Sequence, residues 1–272
     1  DPTSVTPTAE GGWGMTAQWA DDVHHALHAL LTGERHGYYV DFGTPETLRK
    51  AYRDVFVHDG GYSTFRGEAW GRPVPPEVDG HRFVVFGQDH DQVGNRALGD
   101  RPSDALDDGA LAASAALVLL SPFTPMLFMG EEWGARTPWM YVTDHPEPEL
   151  AQAVREGRSR EVGGHGWAEM YGADEDTFEV PDPQAPATFE AGRLDWDDRL
   201  IELFGYSVDD FDRSIVGFNE RLHPDDLDRV TAALQTAIDT CGDFAATYRV
   251  RLPTGETRWV SARGRTLPAA DG

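Results

Sequence analysis

The stretch from Phe83 to Arg96, which reads FVVFGQDHDQVGNR, places the strongest constraint on how this chain folds. It opens with four apolar residues and becomes abruptly polar from Gln88 to Gln92. A short apolar run with a polar end predicts a buried strand that carries side chains to the edge of a sheet. In a parallel α/β barrel, that edge is where active sites form.

Strands and helices are predicted to alternate through the first two thirds of the chain. Asp21 and Asp22 suit the start of a helix, and Thr44 and Ser103 are expected N-caps. The predicted elements are a strand at 15–19, helices at 23–31 and 45–56, a strand at 82–87, a helix at 105–120, a strand at 126–129 and a helix at 149–161. This order predicts an α/β fold with a parallel sheet.

Three polar clusters follow the predicted strands, at residues 18–25, 88–95 and 130–133. Because the carboxyl ends of parallel strands share one edge, we expect these clusters on one face. The helix at 105–120 is apolar nearly all round, which predicts deep burial. The stretch 167–187 lacks periodicity and is predicted as loop. Three strand–helix units leave sheet edges open, so we expect a curved open sheet or a partly disordered N-terminal region.

The composition limits the class of partner. The chain has 272 residues and a formal net charge of −24, which argues against nucleic acids and anionic membranes because both would repel it. Cys241 is the single cysteine, which favours a cytoplasmic location. The apolar stretch at 111–129 is interrupted by Ser121, Pro122 and Pro125 and is too short to span a membrane.

The pattern changes after Trp196. A short amphipathic helix ends at Gly205, and His223-Pro224-Asp225-Asp226 predicts a turn into a second helix. Residues 244–252 alternate between apolar and polar, and residues 258–267 do so again after the turn at 253–256. The pattern indicates a β-hairpin packed against helices.

The motif FGQDHDQVGNRALGDR resembles the fourth sequence region of the α-amylase superfamily, in the form seen in maltooligosyltrehalose trehalohydrolases. The stretches GGWGMTAQWADDVHHALHALLTGERHGYYVDFG, FMGEEWGARTPWMYVTDH and VPDPQAPATFEAGRLDW resemble the same family. The resemblance implies that residues 1–190 are the C-terminal part of a (β/α)8 TIM barrel and contain strands six to eight with their helices.

The end of the chain resembles a different family. DWDDRLIELFGYS, RLHPDDLDRV and YRVRLPTGETRWVSARGR follow one another as in PAS domains. This resemblance implies an α+β PAS-like domain at residues 191–272 that lacks its last strand, with the two parts joined at 192–196. Cys241 lies between a predicted helix and a predicted strand, which is not where flavin chemistry would need it. His223 could be interpreted as a haem ligand, but His-Pro-Asp-Asp is a common turn in PAS sequences, so we expect self-association or protein contact here rather than cofactor binding.

The trehalohydrolase resemblance implies hydrolysis of the α-1,4 bond next to the trehalose end of maltooligosyl trehalose. It assigns Asp91 to stabilising the positively charged transition state and His90 to hydrogen bonds with sugar hydroxyls. The alternative interpretation is that Asp91 caps the loop after the strand and His90 packs inside.

The other expected contacts with the maltooligosaccharide-type substrate are Gln92, Trp19, Asp21, Asp22, His24, His25 and Glu131. An aromatic face stacks on sugar C–H groups while carboxylates and imidazoles bind hydroxyls. For Trp19 to His25, the alternative is a helix cap with partly buried histidines. Trp133 and Trp139 suit stacking on distal sugars or packing equally well.

No metal or organic cofactor is expected. His24 and His28 have zinc-ligand spacing, but the Glu of a HExxH motif is missing. The resemblance places the nucleophile Asp and the acid Glu before Asp1, so we expect the chain alone to be inactive. Two alternatives stay open, a PAS-type sensory or protein-interaction module and a chimera with no function as a unit.

Overall fold

The computed structural model describes residues 2–163, 167–174, 178–192, 196, 198–207, 209, 211 and 214–266. The chain divides into two compact units, residues 1–194 and residues 195–272. Two features predicted above fall partly outside the described residues, namely the junction at 193–195 and the strand end at Leu267.

The strands of the described residues are β1 Gln18–Trp19, β2 Tyr62–Ser63, β3 Glu68–Ala69, β4 Phe83–Phe86, β5 Thr124–Met126, β6 Asp243–Arg251 and β7 Thr257–Arg265. The helices are α1 Asp21–Thr32, α2 Pro45–Asp54, α3 His90–Gly94, α4 Pro102–Ala105, α5 Asp108–Leu119, α6 Pro148–Gly163, α7 Trp167–Met170, α8 Pro186–Ala191, α9 Asp198–Leu203, α10 Ile215–Arg221 and α11 Pro224–Thr240.

The first unit contains a parallel sheet in the order β1-β4-β5. Trp19 pairs with Val84, and Phe86 pairs with Met126, so the three strands end at one edge. Phe83, Val85 and Phe86 are buried in the core, as the apolar run predicts. The α/β class and the parallel sheet are therefore confirmed, although the outer strands are shorter than predicted.

Helix α1 begins with two carboxylates in its first turn and is followed by Gly33, whose left-handed φ of 80° favours glycine. It buries Val23 and Leu27 against the core. Helix α2 begins at the predicted cap, because the Thr44 side chain accepts a hydrogen bond from the Thr47 amide. These two helices pack together, and both lie between β1 and β4 along the chain.

The predicted helix at 105–120 is wrong in two respects. It is divided into α4 and α5, and Asp107 caps α5 by accepting a hydrogen bond from the Ala110 amide at 2.8 Å. Ser103 instead donates to the Ala135 carbonyl oxygen. Deep burial is also wrong, because Val118 is the only buried residue of α5 and Leu120, just after it, is 84% exposed. A helix that is apolar on every side is covered only where a neighbouring element reaches it.

Two further predictions differ from the structure. The strand expected at 126–129 lies at Thr124–Met126, where its backbone pairs with β4. The stretch 167–187, predicted as loop, contains α7 and the first residues of α8. Pro186 stands at the first turn of α8, a position that needs no backbone N–H.

The second unit contains α9, α10 and α11 and the antiparallel hairpin of β6 and β7, in which Tyr248 pairs with Val260. The predicted alternation is confirmed in β6, because Ala246, Tyr248 and Val250 are buried. They form a separate core with Val230 of α11. None of the described helices is both long enough and apolar enough to cross a membrane.

Candidate functional site

A cavity of about 370 Å³ opens in the first unit, beside the residues that follow β1 and β4. Trp19, Asp21, Asp22 and His25 come from β1 and the start of α1, while Asp91 and Gln92 come from α3. Aromatic and basic side chains from elsewhere complete the wall; they are Tyr38, Phe42, Phe56, His58, Phe65, Arg66 and Trp70. Carboxylates facing aromatic rings form a site suited to a polyhydroxylated ligand.

Asp89, and not Asp91, is the cap after β4. The buried Asp89 Oδ1 accepts hydrogen bonds from the Asp91 amide at 2.9 Å and the Gln92 amide at 3.0 Å. This arrangement leaves the Asp91 side chain exposed, where its Oδ1 accepts a hydrogen bond from Asn95 Nδ2 at 2.7 Å. The alternative in which Asp91 is the cap does not describe this structure.

His90 is exposed and does not pack inside. Its ring meets the ring of Trp19 edge-on, with 5.6 Å between centroids. Trp19 in turn meets Phe86 of β4 at 5.8 Å. The two strand ends therefore bring Trp19 and His90 together at the rim of the site.

Asp21 lies among like charges. Burial, followed by the charges of Asp89, Asp22 and Asp91, raises the pKa of Asp21 to about 6, and a hydrogen bond with Gln92 opposes the rise. Its charge therefore changes between about pH 5 and pH 7. Near pH 6 the group can either donate or accept a hydrogen bond to a hydroxyl.

Asp22 lines the same cavity, but one of its oxygens has protein partners. Its Oδ2 accepts hydrogen bonds from the backbone amides of Val57 at 2.7 Å and His58 at 3.2 Å. The structure thus gives Asp22 a role in holding the chain around residue 57.

The two adjacent histidines of α1 differ in environment. His24 is buried, with Nδ1 at 2.9 Å from the Gly87 carbonyl oxygen and Nε2 at 3.0 Å from the Tyr39 hydroxyl. Because a carbonyl only accepts, the proton lies on Nδ1 and Tyr39 donates to Nε2. Burial and the neighbouring His28 and His25 hold the pKa of His24 well below its usual value. His24 thus faces the interior rather than the cavity.

His25 lines the cavity and stacks on Tyr38 with 4.7 Å between ring centroids. Its Nδ1 is buried and has no hydrogen-bond partner within the described part of the chain. Burial, with the charges of His28, Arg66 and His58, lowers the pKa of His25 to about 3, so the ring is neutral near pH 7. The neutral His25 ring therefore forms an uncharged aromatic part of the cavity wall beside Tyr38.

Glu131 is not among the residues that line this cavity. Its Oε2 accepts a hydrogen bond from the Phe128 amide at 3.0 Å, and a Cβ atom at Gly87 would lie 2.7 Å from its Oε1. Burial raises the pKa of Glu131 to about 7, and the charge of Glu132 adds to the rise. The structure therefore places the Glu131 carboxyl beside Gly87, which follows β4, and not in the wall of the cavity.

Trp139 packs edge-on against Phe128 at 5.1 Å and lies against Gly94.

His28, which has zinc-ligand spacing from His24, pairs through Nε2 with Glu34 Oε2 at 2.8 Å. Among the described residues, no cluster of histidine, cysteine and carboxylate side chains has the geometry to hold a metal ion.

Sequence reasoning missed the wall formed by residues 56–70. Phe56, His58, Phe65, Arg66 and Trp70 all line the cavity from this segment, and Arg66 lies 4.3 Å over the ring of Trp70. The available signal was the density of aromatic residues in a glycine-containing stretch between two predicted elements. That signal has no helical or strand periodicity, so it fixes no element.

Comparison with known proteins identifies relatives for both parts of the chain. The chain is 55% identical over 196 residues to a malto-oligosyltrehalose trehalohydrolase from Arthrobacter ramosus. This alignment covers 72% of the chain and 33% of the relative. The chain is 46% identical over 285 aligned residues to the Brevibacterium helvolum protein of the same name, covering 100% of this chain and 46% of that one. The family model described as PAS fold matches residues 193–272.

A solved structure shares the fold. The crystal structure of a putative α-amylase from Salmonella typhimurium matches with a TM-score of 0.57 at 31% identity, covering 94% of this chain and 41% of that one. The parallel sheet with its helices therefore fits part of an α-amylase-like barrel. The resemblance to trehalohydrolases is confirmed, and the chain spans about a third to a half of the length of the relatives it matches.

Proposed function

We propose that the first unit is the C-terminal part of a trehalohydrolase barrel, acting on the α-1,4 bond next to the trehalose end of maltooligosyl trehalose and releasing trehalose. In this proposal β1, β4 and β5 are strands six, seven and eight of a (β/α)8 barrel that includes residues 1–190. The observation that supports it most is the exposed Asp91 carboxylate in a cavity at the strand ends, within the region of trehalohydrolase identity.

The Asp91 carboxylate is suited to transition-state stabilisation. Its helix is capped by Asp89 and its Oδ1 is oriented by Asn95, so the charge is fixed before a ligand arrives. Glycosidic cleavage develops positive charge on the sugar ring. A fixed anion beside that charge stabilises the transition state more than the neutral ground state, which lowers the barrier.

Sugar recognition is proposed to come from the residues around this carboxylate. Trp19 offers an exposed ring at the rim, and Asp21 and Gln92 offer polar groups to hydroxyls. His25 is proposed to contribute a neutral ring to the cavity wall beside Tyr38. His90, edge-on to Trp19, is proposed to contact the same sugar.

Binding is the measurement that tests this proposal, because it depends on residues that the structure describes. Isothermal titration of the 272-residue chain with maltooligosyl trehalose should show saturable binding that is weaker for a maltooligosaccharide of equal length without the trehalose end. Replacing Trp19 by Ala should weaken binding by about tenfold or more, because stacking area is lost. Trp259→Ala is the matched control, since this exposed tryptophan lies in the second unit.

The proposal fails if the chain binds both sugars equally or neither of them. It also fails if Trp19→Ala and Trp259→Ala have the same effect, because stacking at the rim would then play no part.

We also propose that residues 191–272 form a PAS-like module. The match of residues 193–272 to the PAS fold model and the β6–β7 hairpin over α11 support it. Its proposed role is self-association or protein contact, which sedimentation of the chain over a range of concentrations would reveal. A cytoplasmic location is proposed for the protein because Cys241 has no cysteine partner in the chain.

A further inference from the structure

The wall of the cavity that carries Phe65, Arg66 and Trp70 is a tight hairpin, built on the short strands β2 and β3. Gly60 donates from its amide to the Trp70 carbonyl oxygen at 2.8 Å, and Trp70 donates to Gly61 at 2.9 Å. A two-residue strand pair in isolation has little stability of its own. Contacts with the rest of the unit must therefore hold this hairpin.

Two carboxylates hold the segment. Asp22 Oδ2 accepts from the amides of Val57 and His58, at the point where the segment leaves α2. Asp41 Oδ2 accepts from the amide of Thr64, the residue before Phe65, at 2.7 Å. The entry and the tip of the hairpin are thus each tied to a carboxylate.

His58 lies between the two carboxylates and contacts Asp41 at hydrogen-bond distance. Its ring is buried, with Nε2 at 3.1 Å from Asp41 Oδ2 and Nδ1 at 3.9 Å from Asp22 Oδ2. Ser63, which is fully buried, places its Oγ 3.4 Å from the same oxygen of Asp41. Asp41 Oδ2 therefore lies within reach of three donors, all from the wall segment.

Asp41 accepts these hydrogen bonds as an ionised carboxylate. Partial burial acts to raise its pKa, but hydrogen bonds from Thr64 and His58 outweigh burial and hold the pKa of Asp41 below its usual value. A charged acceptor makes stronger hydrogen bonds than a neutral one. Asp41 itself does not line the cavity, so its effect on a ligand must pass through the hairpin.

We infer that Asp41 is a positioning residue that sets the ligand-facing wall through Thr64, Ser63 and His58, with Asp22 fixing the other end. The inference rests on the proposed function for its effect on the ligand. It makes the wall a preformed part of the site, and it gives Asp22 a task different from direct sugar contact. Preformed walls improve affinity because less ordering accompanies binding.

The first test concerns the free chain and needs no ligand. In Asp41→Ala, hydrogen exchange at the Thr64 amide followed by NMR should become at least about tenfold faster, while amides of α1 keep their rates. Asp41→Asn should show a smaller increase, because its amide oxygen still accepts from Thr64. Asp79→Ala is the control, since that carboxylate is exposed in the same unit.

The second test is a double-mutant cycle on the affinity for maltooligosyl trehalose. Asp41→Ala should weaken binding by about tenfold in the unsubstituted chain but by less than about twofold in the Phe65→Ala background, because the wall contact is then already lost. A residue that only stabilised the fold would weaken both backgrounds equally.

Unchanged exchange at Thr64 in Asp41→Ala would overturn the inference, as would equal losses of affinity in both backgrounds. If the unsubstituted chain binds no sugar, the proposed function fails. The exchange of Thr64 then still decides whether Asp41 positions the wall.

Discussion

His24 Nδ1 lies 2.9 Å from the carbonyl oxygen of Gly87, the residue that follows the central strand β4 and begins the turn to Asp89 and Asp91. The contact is buried and joins two segments 63 residues apart. It ties the first turn of α1 to the strand end that carries the proposed catalytic carboxylate. The donor must be the ring, so the neutral tautomer with the proton on Nδ1 is required.

Tyr39→Phe should destabilise the first unit by about 1–3 kcal/mol, because His24 Nε2 then remains buried without its donor. Urea unfolding followed by near-ultraviolet circular dichroism measures the change. Tyr62→Phe is the matched control, since Tyr62 is 68% exposed and should change stability by less than about 0.5 kcal/mol. Equal effects for the two variants would contradict the importance of this hydrogen bond.

Substitution should destabilise the protein far more at Asp89 than at Asp91. Asp89→Ala removes the acceptor for two backbone amides and should cost about 0.5–2 kcal/mol of stability, whereas Asp91→Ala should cost much less because its side chain is exposed. Thermal unfolding of both variants makes the comparison. A larger loss for Asp91→Ala would mean that the cap is assigned to the wrong aspartate.

The sequence contains both aspartates but does not distinguish their roles. Both follow the apolar run of β4, and aspartate is a residue type that commonly caps helices. The distinction comes from where the strand ends, since the helix begins at His90 and its N2 and N3 amides belong to Asp91 and Gln92. Boundaries to one residue depend on tertiary pairing with β1 and β5, which no local pattern contains.

Periodicity predicted α1 and α2 because their apolar residues repeat along the chain, and the continuous apolar run predicted β4. It could not predict the cavity wall at Phe65 and Trp70, because the hairpin that carries them is held by long-range contacts such as that of Thr64 with Asp41, 23 residues earlier in the sequence. Burial of α5 also depends on neighbours. An apolar helix predicts a partner, but the sequence pattern does not say which of its sides the partner covers.

Glu131→Gln should stabilise the first unit above pH 7. The folded-state pKa of Glu131 is raised to about 7, so the folded protein holds a proton that the unfolded chain releases near pH 4.5. Stability from this group is therefore greatest at low pH and is lost as pH rises from about 4.5 to 7. A neutral Gln at this position does not lose this stability. The variant should therefore be more stable than the unsubstituted protein by on the order of 1 kcal/mol at pH 8.

Melting temperatures at pH 5 and pH 8 test this, with Glu77→Gln as the control because Glu77 is an exposed glutamate of the same unit. The difference between the two pH values should shrink in Glu131→Gln and persist in Glu77→Gln. An unchanged difference in Glu131→Gln would show that the buried carboxyl titrates near its usual pKa.

The exposure of α5 gives the last prediction. Val118 is fully buried, whereas Leu120, two residues later, is 84% exposed. Substitutions at these two positions therefore compare a packed apolar side chain with an unpacked one. Val118→Ala should cost about 1–3 kcal/mol, because it removes buried methyl groups and leaves a cavity. Leu120→Ser should change the free energy of unfolding by less than about 0.5 kcal/mol and should raise solubility, since an exposed leucine is replaced by a polar residue. Urea unfolding of the two variants measures the contrast, and a large loss for Leu120→Ser would mean that this end of the helix is covered in the folded chain.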